Sequence, residues 1–244
     1  VLSVTDHDTV GSCEAAAAAG REAAIEFVPG IEITSIVDGR DVHVLGYFID
    51  PESDSLARFL RAQRADRVRR VREIGGRLRE RGCAIDVEPL IAEAAAQGKS
   101  VGRPAIADAL VASGHVRDRD DAFARLLGRG QPAFVPRQGV GGAGVIEVIH
   151  AAGGIASLAH PGVLDHDDLI PALAEAGLDA LEVWHSDHAP EQAAHYSAMA
   201  ERIGLARSGG SDYHGDGVHR ACRIGAVALP AAEFARLEAR AGGR

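Results

Sequence analysis

The sequence predicts an α/β protein, a parallel sheet or barrel of alternating strands and helices with a long helical stretch inserted into it. Three observations predict this. Short apolar runs alternate with helical patterns from about residue 142 onward. Residues 52–136 carry helical spacing without strand alternation. Histidines and acids recur just after the strand-like runs, on the side where a β/α barrel gathers its site.

Val1-Leu2-Ser3-Val4-Thr5 reads as a buried strand that delivers Asp6-His7-Asp8 at its C-terminal end. A helix over about 10–20 follows. Asp38-Gly39 separates the alternating runs Ile31 to Val37 and Asp41 to Phe48, a strong hairpin signal. Leu56, Phe59, Leu60, Val68, Val71, Ile74 and Leu78 then recur at helical spacing, and Gly82 is a natural stop. The other faces of that helix carry Arg58, Arg61, Arg64, Arg67, Arg69, Arg70, Arg72, Arg77, Arg79 and Arg81, read as a solvated surface paired in part with nearby acids. Further helices are expected near 86–97, 103–113 and 118–127. Residues 52–136 are therefore expected to form a helical subdomain inserted between 1–51 and 137–244.

The α/β rhythm resumes with helix 142–152 and strand 155–159, ending at His160-Pro161-Gly162. Helix 167–176 precedes strand 179–184, ending at His185. Helix 190–203 precedes strand 205–208, ending at Gly209-Gly210-Ser211-Asp212-Tyr213-His214-Gly215. A last strand is expected near 223–228.

The 244 residues, 46% hydrophobic, suffice for a sizeable core. A formal net charge of −9 argues against a general nucleic-acid binder, and no stable duplex binding is expected. Cys13, Cys83 and Cys222 lie far apart with no Cys-x-x-Cys pair. That argues against a disulfide framework or a thiolate zinc site and fits a reducing cytoplasm. No apolar run approaches the ~20 residues a membrane-spanning helix needs.

His7, His160, His185, Asp212 and His214 each fall just after a predicted strand. Singly, each reads more readily as a loop or capping residue; together they suggest one site. Neutral imidazole with carboxylate suits Zn, Mn or Fe, and carboxylate-rich sites can hold two or more ions. His115, His166, His188, His195 and His219 lack this placement and read as surface or supporting residues. The absence of a Gly-x-Ser-x-Gly elbow and of a Gly-x-x-x-x-Gly-Lys loop weakens serine-hydrolase and P-loop readings.

The segments Thr5-Asp6-His7-Asp8-Thr9, Pro29-Gly30-Ile31-Glu32, His43-Val44-Leu45-Gly46, Leu158-Ala159-His160-Pro161 and Gly210-Ser211-Asp212-Tyr213-His214-Gly215 resemble the PHP family, named for polymerase and histidinol phosphatase. The order and spacing are most similar to its stand-alone bacterial phosphoesterases. The resemblance implies a distorted (β/α)7 barrel with a helical insertion and a centre of two or three divalent ions. Manganese is the first expectation, with zinc, iron or magnesium as alternatives. It implies His7, Glu32, His43, His160, His185, Asp212 and His214 as ligands. Asp6 would be a ligand or, by preference, orient His7. The implied reaction is hydrolysis of phosphate esters of nucleotides or short oligonucleotides by metal-activated water, such as a 3′,5′-bisphosphonucleotide or a 5′-terminal nucleotide. Asp212 and His185 would be catalytic, His185 either as a ligand or as proton donor to the leaving group. Arg103 and Arg137, in family-like segments, would clamp a second phosphate; the plainer reading is surface charge. An amidohydrolase-like hydrolase, or a truncated inactive domain with a binding role, are the competing readings.

The family opens with a His-x-His strand and a following Asp, and neither precedes Val1 here. The expectation is a missing first strand, with poor metal binding and little activity in this chain. Metal content and phosphatase activity, measured beside a version extended upstream, should differ; equal activity in both would contradict it.

Overall fold

The computed structural model describes residues 1–96, 100–215 and 223–243. His219, Cys222 and the expected helix end at 97 lie outside the described residues. The fold is mixed α/β, and the chain divides into two compact units, Val1–Ala57 with Val140–Arg244 and Arg58–Gly139.

The first unit is built on one six-stranded sheet in the order β1 (Leu2–Val4), β2 (Phe27–Val37), β3 (Arg40–Tyr47), β4 (Ile155–Leu158), β5 (Ala180–Trp184) and β6 (Ala206–Gly209). The sheet is mixed rather than uniformly parallel. β1 runs parallel to β2, β3 is antiparallel to both its neighbours, and β4, β5 and β6 are parallel. The reversal comes from the Asp38-Gly39 turn, where φ is 49° and 70°. Two successive left-handed residues are what a two-residue hairpin matching strand twist requires.

Register sorts the side chains. Ile31, Ile33, Val42, Val44, Ala156, Leu158, Leu181 and Val183 share one buried apolar face. The helix Gly142–Ala151 packs against β2, β3 and β4 and buries Val145, Ile146 and Ile149. A side chain at Gly46 would stand 3.2 Å from Ile149 and 3.1 Å from Ile31, so those neighbours would have to give by a few tenths of an ångström. The opposite face carries Glu32, Leu45, Tyr47, Ile155, Ser157, Ala180, Glu182 and Ser208. Its Ile155 and Ala180 end is closed by Leu237 of the C-terminal helix Ala231–Gly242. Its other end is polar.

Two sequence expectations change. Residues 223–228 form a turn, not a strand: Gly225 sits at φ 78°, Ala226 N–H donates to Arg223 O at 3.0 Å, and Ile224 is exposed. The apolar residues there mimic a strand, but the left-handed glycine bends the backbone away from any ladder. The expected helix 118–127 is a short α-turn, Arg119–Ala122, continued as a π-helix over Phe123–Leu127.

The long helix Asp54–Glu80 carries the chain into the second unit and ends before Gly82, at φ 74°. Its Val71, Ile74 and Leu78 join Val87, Ile106, Leu110, Leu127 and Val135 in a core. Along its polar side Arg69 pairs with Asp66 and Glu73, and Arg72 pairs with Glu88. Arg70 departs from that pattern. It is buried and donates from Nε to Val135 O at 2.7 Å. No described helix is long and apolar enough to cross a membrane.

A buried carboxylate ties the first unit together. Asp179 is 1% exposed; its Oδ2 accepts Ala156 N–H at 2.9 Å and meets His150 Nε2 at 2.7 Å, and Arg240 Nε lies 3.3 Å from Oδ1. Removing one partner of a buried pair typically costs about 3 kcal/mol. Asp179→Ala should therefore lower Tm by about 6–12 °C for a chain of this size. A thermal melt unchanged between variant and parent would contradict this role.

Candidate metal centre

The site begins at the join between β1 and β2. Beyond Val4 the chain continues alongside β2, with Glu32 N–H donating to Asp6 O at 3.0 Å and Asp8 N–H donating to Glu32 O at 2.8 Å. His7 is thereby set beside Glu32. Asp8 is buried at φ 54°, and its Oδ1 accepts Thr34 N–H at 3.2 Å. Thr34 pairs with His43 across the hairpin, so His43 lies diagonal to Glu32 on the same face. His160 arrives differently. Strand alternation would carry it to the apolar face with Leu158, but its backbone is left-handed at φ 29°, ψ 57°, and takes it out of that alternation.

Three imidazoles thus converge on one buried carboxylate. His43 Nδ1 lies 2.8 Å from Glu32 Oε1, His160 Nε2 3.4 Å from the same oxygen, and His7 Nε2 3.3 Å from Oε2. His43 Nδ1 and His160 Nε2 are 3.3 Å apart. The ligand atoms of His7, Glu32 and His43 all lie within 4.8 Å of one another. A divalent ion holds such donors at about 2.0–2.2 Å, so donors on opposite sides of it are about 4 Å apart. Separations of this size are close to what one ion spans. His160 Nδ1 and His185 Nε2 are buried and form no hydrogen bond among the described residues. The donor set, nitrogen with carboxylate oxygen, fits a divalent metal.

Beside this group lies a second one. His185 Nε2 is 3.4 Å from Asp212 Oδ2, and Asp212 Oδ1 is 3.4 Å from His214 Nδ1. His214 Nδ1 also meets Asp212 O at 2.8 Å, which leaves Nε2 as the nitrogen that could hold an ion. The imidazoles form a file in which each ring centroid is about 5 Å from the next. His7–His43 are 4.8 Å apart, His43–His160 5.2 Å, His160–His185 5.5 Å and His185–His188 5.3 Å.

Charge follows this geometry. Burial pushes the Glu32 carboxyl up, but hydrogen bonds from His160 and His43 and the nearby His7 outweigh it and hold Glu32 well below the usual carboxylate range. Asp212 is likewise lowered: burial opposes ionisation, and His185 and His214 overcome it. Glu182 goes the other way. Burial pushes its carboxyl up to about 7 against the pull of His185 and the His160 N–H. Burial also lowers His188, and positive charge on His185 or His160 adds to that.

The structure brings together His7, Glu32, His43 and His160, with His185, Asp212 and His214 adjoining. Asp6 contributes its backbone carbonyl. Arg103 and Arg137 belong to the second unit. There the Arg103 guanidinium lies 5.7 Å from the ring centres of both Phe123 and Phe134, and Nη1 donates to Leu127 O at 3.4 Å. Sequence reasoning missed Glu182 and left His188 without a role. The signal for Glu182 was present: one acid inside the otherwise apolar strand Ala180–Trp184.

No family model matches the chain. It is 34% identical over 221 residues to a 5′-3′ exoribonuclease of Haemophilus influenzae, covering 88% of this chain and 79% of the relative. It is 32% identical over 222 residues to a 3′,5′-nucleoside bisphosphate phosphatase of Chromobacterium violaceum, covering 89% and 78%. A solved protein of Bifidobacterium adolescentis, provisionally described as a metal-dependent phosphoesterase, superposes with a TM-score of 0.81 at 31% identity, over 98% of this chain and 85% of that one. These relatives define a class of phosphate-ester hydrolases. The chain belongs to the PHP family, whose motifs its sequence carries.

Glu32→Gln removes the charge on which three imidazoles converge. It should weaken Mn2+ or Zn2+ binding at least about tenfold by calorimetry, since charge and donor geometry at a metal site are both lost. Unchanged affinity would contradict the centre described.

Proposed function

We propose that this chain hydrolyses phosphate esters of nucleotides or short oligonucleotides, using two or three divalent ions to activate water. Manganese is the first choice of ion, with zinc, iron or magnesium next. The observation that carries the reading is the convergence of His7, His43 and His160 on the buried Glu32 carboxylate. In this reading those four residues hold one ion and Asp212 with His214 contributes to another. Bound divalent ions supply positive charge to phosphoryl oxygens and acidify water. The relatives, named as an exoribonuclease and a bisphosphate phosphatase, support a nucleotide substrate. The mixed sheet, with His160, His185 and Asp212 following β4, β5 and β6, supports the distorted (β/α)7 barrel reading.

The hydrogen bonds of His185 favour one of its two roles. Asp187 N–H donates to His185 Nδ1 at 3.1 Å, so the neutral ring carries its proton on Nε2. That proton faces Asp212. A ring in this tautomer donates from Nε2 instead of ligating through it. We therefore favour the proton-donor reading of His185 over the ligand reading; donation to the leaving oxygen would require the doubly protonated ring, beside the Asp212 carboxylate.

The helical subdomain over 52–136, with Arg137 just beyond it, is the proposed source of substrate selectivity. Arg103, held against two aromatic rings, is pre-oriented for a second phosphate. Free Cys13 and Cys83 accord with a reducing cytoplasm as the working compartment.

The test is phosphate release from a 3′,5′-bisphosphonucleotide, a nucleoside monophosphate and a 5′-phosphorylated RNA oligomer, with an amide panel as control. Release should require added Mn2+, stop on chelation and be absent from amides. No metal-dependent release from any phosphate ester would contradict the function. Arg103→Ala should lower kcat/KM on the bisphosphate about tenfold or more, the worth of a charged phosphate contact, and spare the monophosphate. An unchanged preference between the two would reject the clamp.

A further inference from the structure

We propose that Glu182 and His188 are positioning residues that lock the His160–Gly162 turn in the one conformation that presents the His160 ring to the metal centre. The proposal deepens the function above and rests on reading His160 as a ligand.

His160 has two reasons not to adopt its observed backbone. It is a non-glycine residue in the left-handed region, and it precedes Pro161, whose ring crowds helical conformations in the residue before it. Such conformations persist when their surroundings over-determine them, and they cluster at functional sites. Here the surroundings can be named. The His160 N–H donates to Glu182 Oε2 at 2.6 Å. Glu182 is 5% exposed, on the inner face of β5, and its carboxylate cannot follow a moving backbone. Two residues on, the Gly162 N–H donates to His188 Nε2 at 3.1 Å. His188 is fixed in turn, because its Nδ1 donates to Val183 O at 2.9 Å. Accepting at Nε2 and donating at Nδ1 defines the neutral Nδ1–H tautomer. Gln192 Nε2 adds a weaker grip on Gly162 O at 3.4 Å.

Contact completes the hold. A side chain at Gly162 would meet the His188 ring at 2.9–3.0 Å, so ring and turn are pressed together. The other flank of the His188 ring lies 5.3 Å from His185 and 5.4 Å from Tyr196, measured between ring centres. Both N–H groups of the turn are thus held by side chains from β5 and the segment after it. Ordinary capping would draw on the residues just before the turn or on water. A partner one layer behind a metal-bound histidine fixes its orientation, and its loss typically weakens metal binding about 10–100-fold.

The experiment compares Glu182→Ala, Glu182→Gln and His188→Ala in the full chain. Mn2+ affinity is read by calorimetry, site geometry by the visible absorption of the Co2+-loaded chain. Both alanine variants should lose about 10–100-fold in affinity and shift the Co2+ bands. Glu182→Gln keeps an acceptor for the His160 N–H and should recover most of the affinity. Parental affinity and bands in both alanine variants would overturn the proposal. If the parent chain binds no divalent ion, the metal reading fails by itself. Amide exchange in the metal-free chain then decides the positioning claim: faster exchange at His160 and Gly162 in the variants sustains it, and unchanged exchange overturns it. Should an alanine variant not fold, the ring-nitrogen resonances of His188 in the parent decide instead. A protonated Nδ1 with a bare Nε2 supports the hold, and the opposite tautomer refutes it.

Discussion

The first unit is organised around the need to keep one carboxylate ionised where water is scarce. Glu32 sits on the inner face of β2 with almost no exposure, and burial alone would neutralise it. Imidazoles from three other segments meet it: His7 beyond β1, His43 on β3 and His160 after β4. Two of those contacts follow from strand pairing. Parallel pairing brings His7 level with Glu32, and the hairpin register puts His43 diagonal to it. The third needs a backbone that leaves the strand pattern. Behind them the apolar face packs on the helix Gly142–Ala151, with a close approach at Gly46.

A second constraint is that neighbouring imidazoles cannot all carry charge. Five rings stand in file, each about 5 Å from the next. Like charges so placed disfavour one another. At His160 burial also opposes charge, but the Glu32 hydrogen bond and the nearby Glu182 and Asp212 outweigh it and raise that imidazole. The tautomers divide the work. His188 takes its proton on Nδ1 and braces the turn, whereas His185 takes its proton on Nε2 and faces Asp212. Residues of one type, only three positions apart, thus receive different tasks from the backbone groups beside them.

Much of this was legible in the sequence, for identifiable reasons. Asp38-Gly39 announced the hairpin because few residue pairs accept two left-handed conformations. The spacing of Leu56 through Leu78 announced the long helix because its apolar stripe must face a core. The histidines after strand-like runs announced a site because strand ends converge. What stayed hidden depends on register and backbone. Residues 223–228 look like a strand until Gly225 turns. Glu182 stands out as the one acid of an apolar strand, but only the pairing of β5 with β4 and β6 shows which face it takes. The left-handed His160 has no one-dimensional signature, and neither does the aromatic seat of Arg103, whose rings are 20 and 31 residues further along the chain.

The central claim is that imidazoles gathered on Glu32 bind a divalent cation. X-ray absorption at the metal edge of the Mn2+- or Zn2+-loaded chain tests it most directly. The spectrum should show a mixed nitrogen and oxygen shell with the multiple-scattering signature of two or more imidazoles, reduced in His43→Ala. An oxygen-only shell, or one indifferent to that substitution, would contradict it.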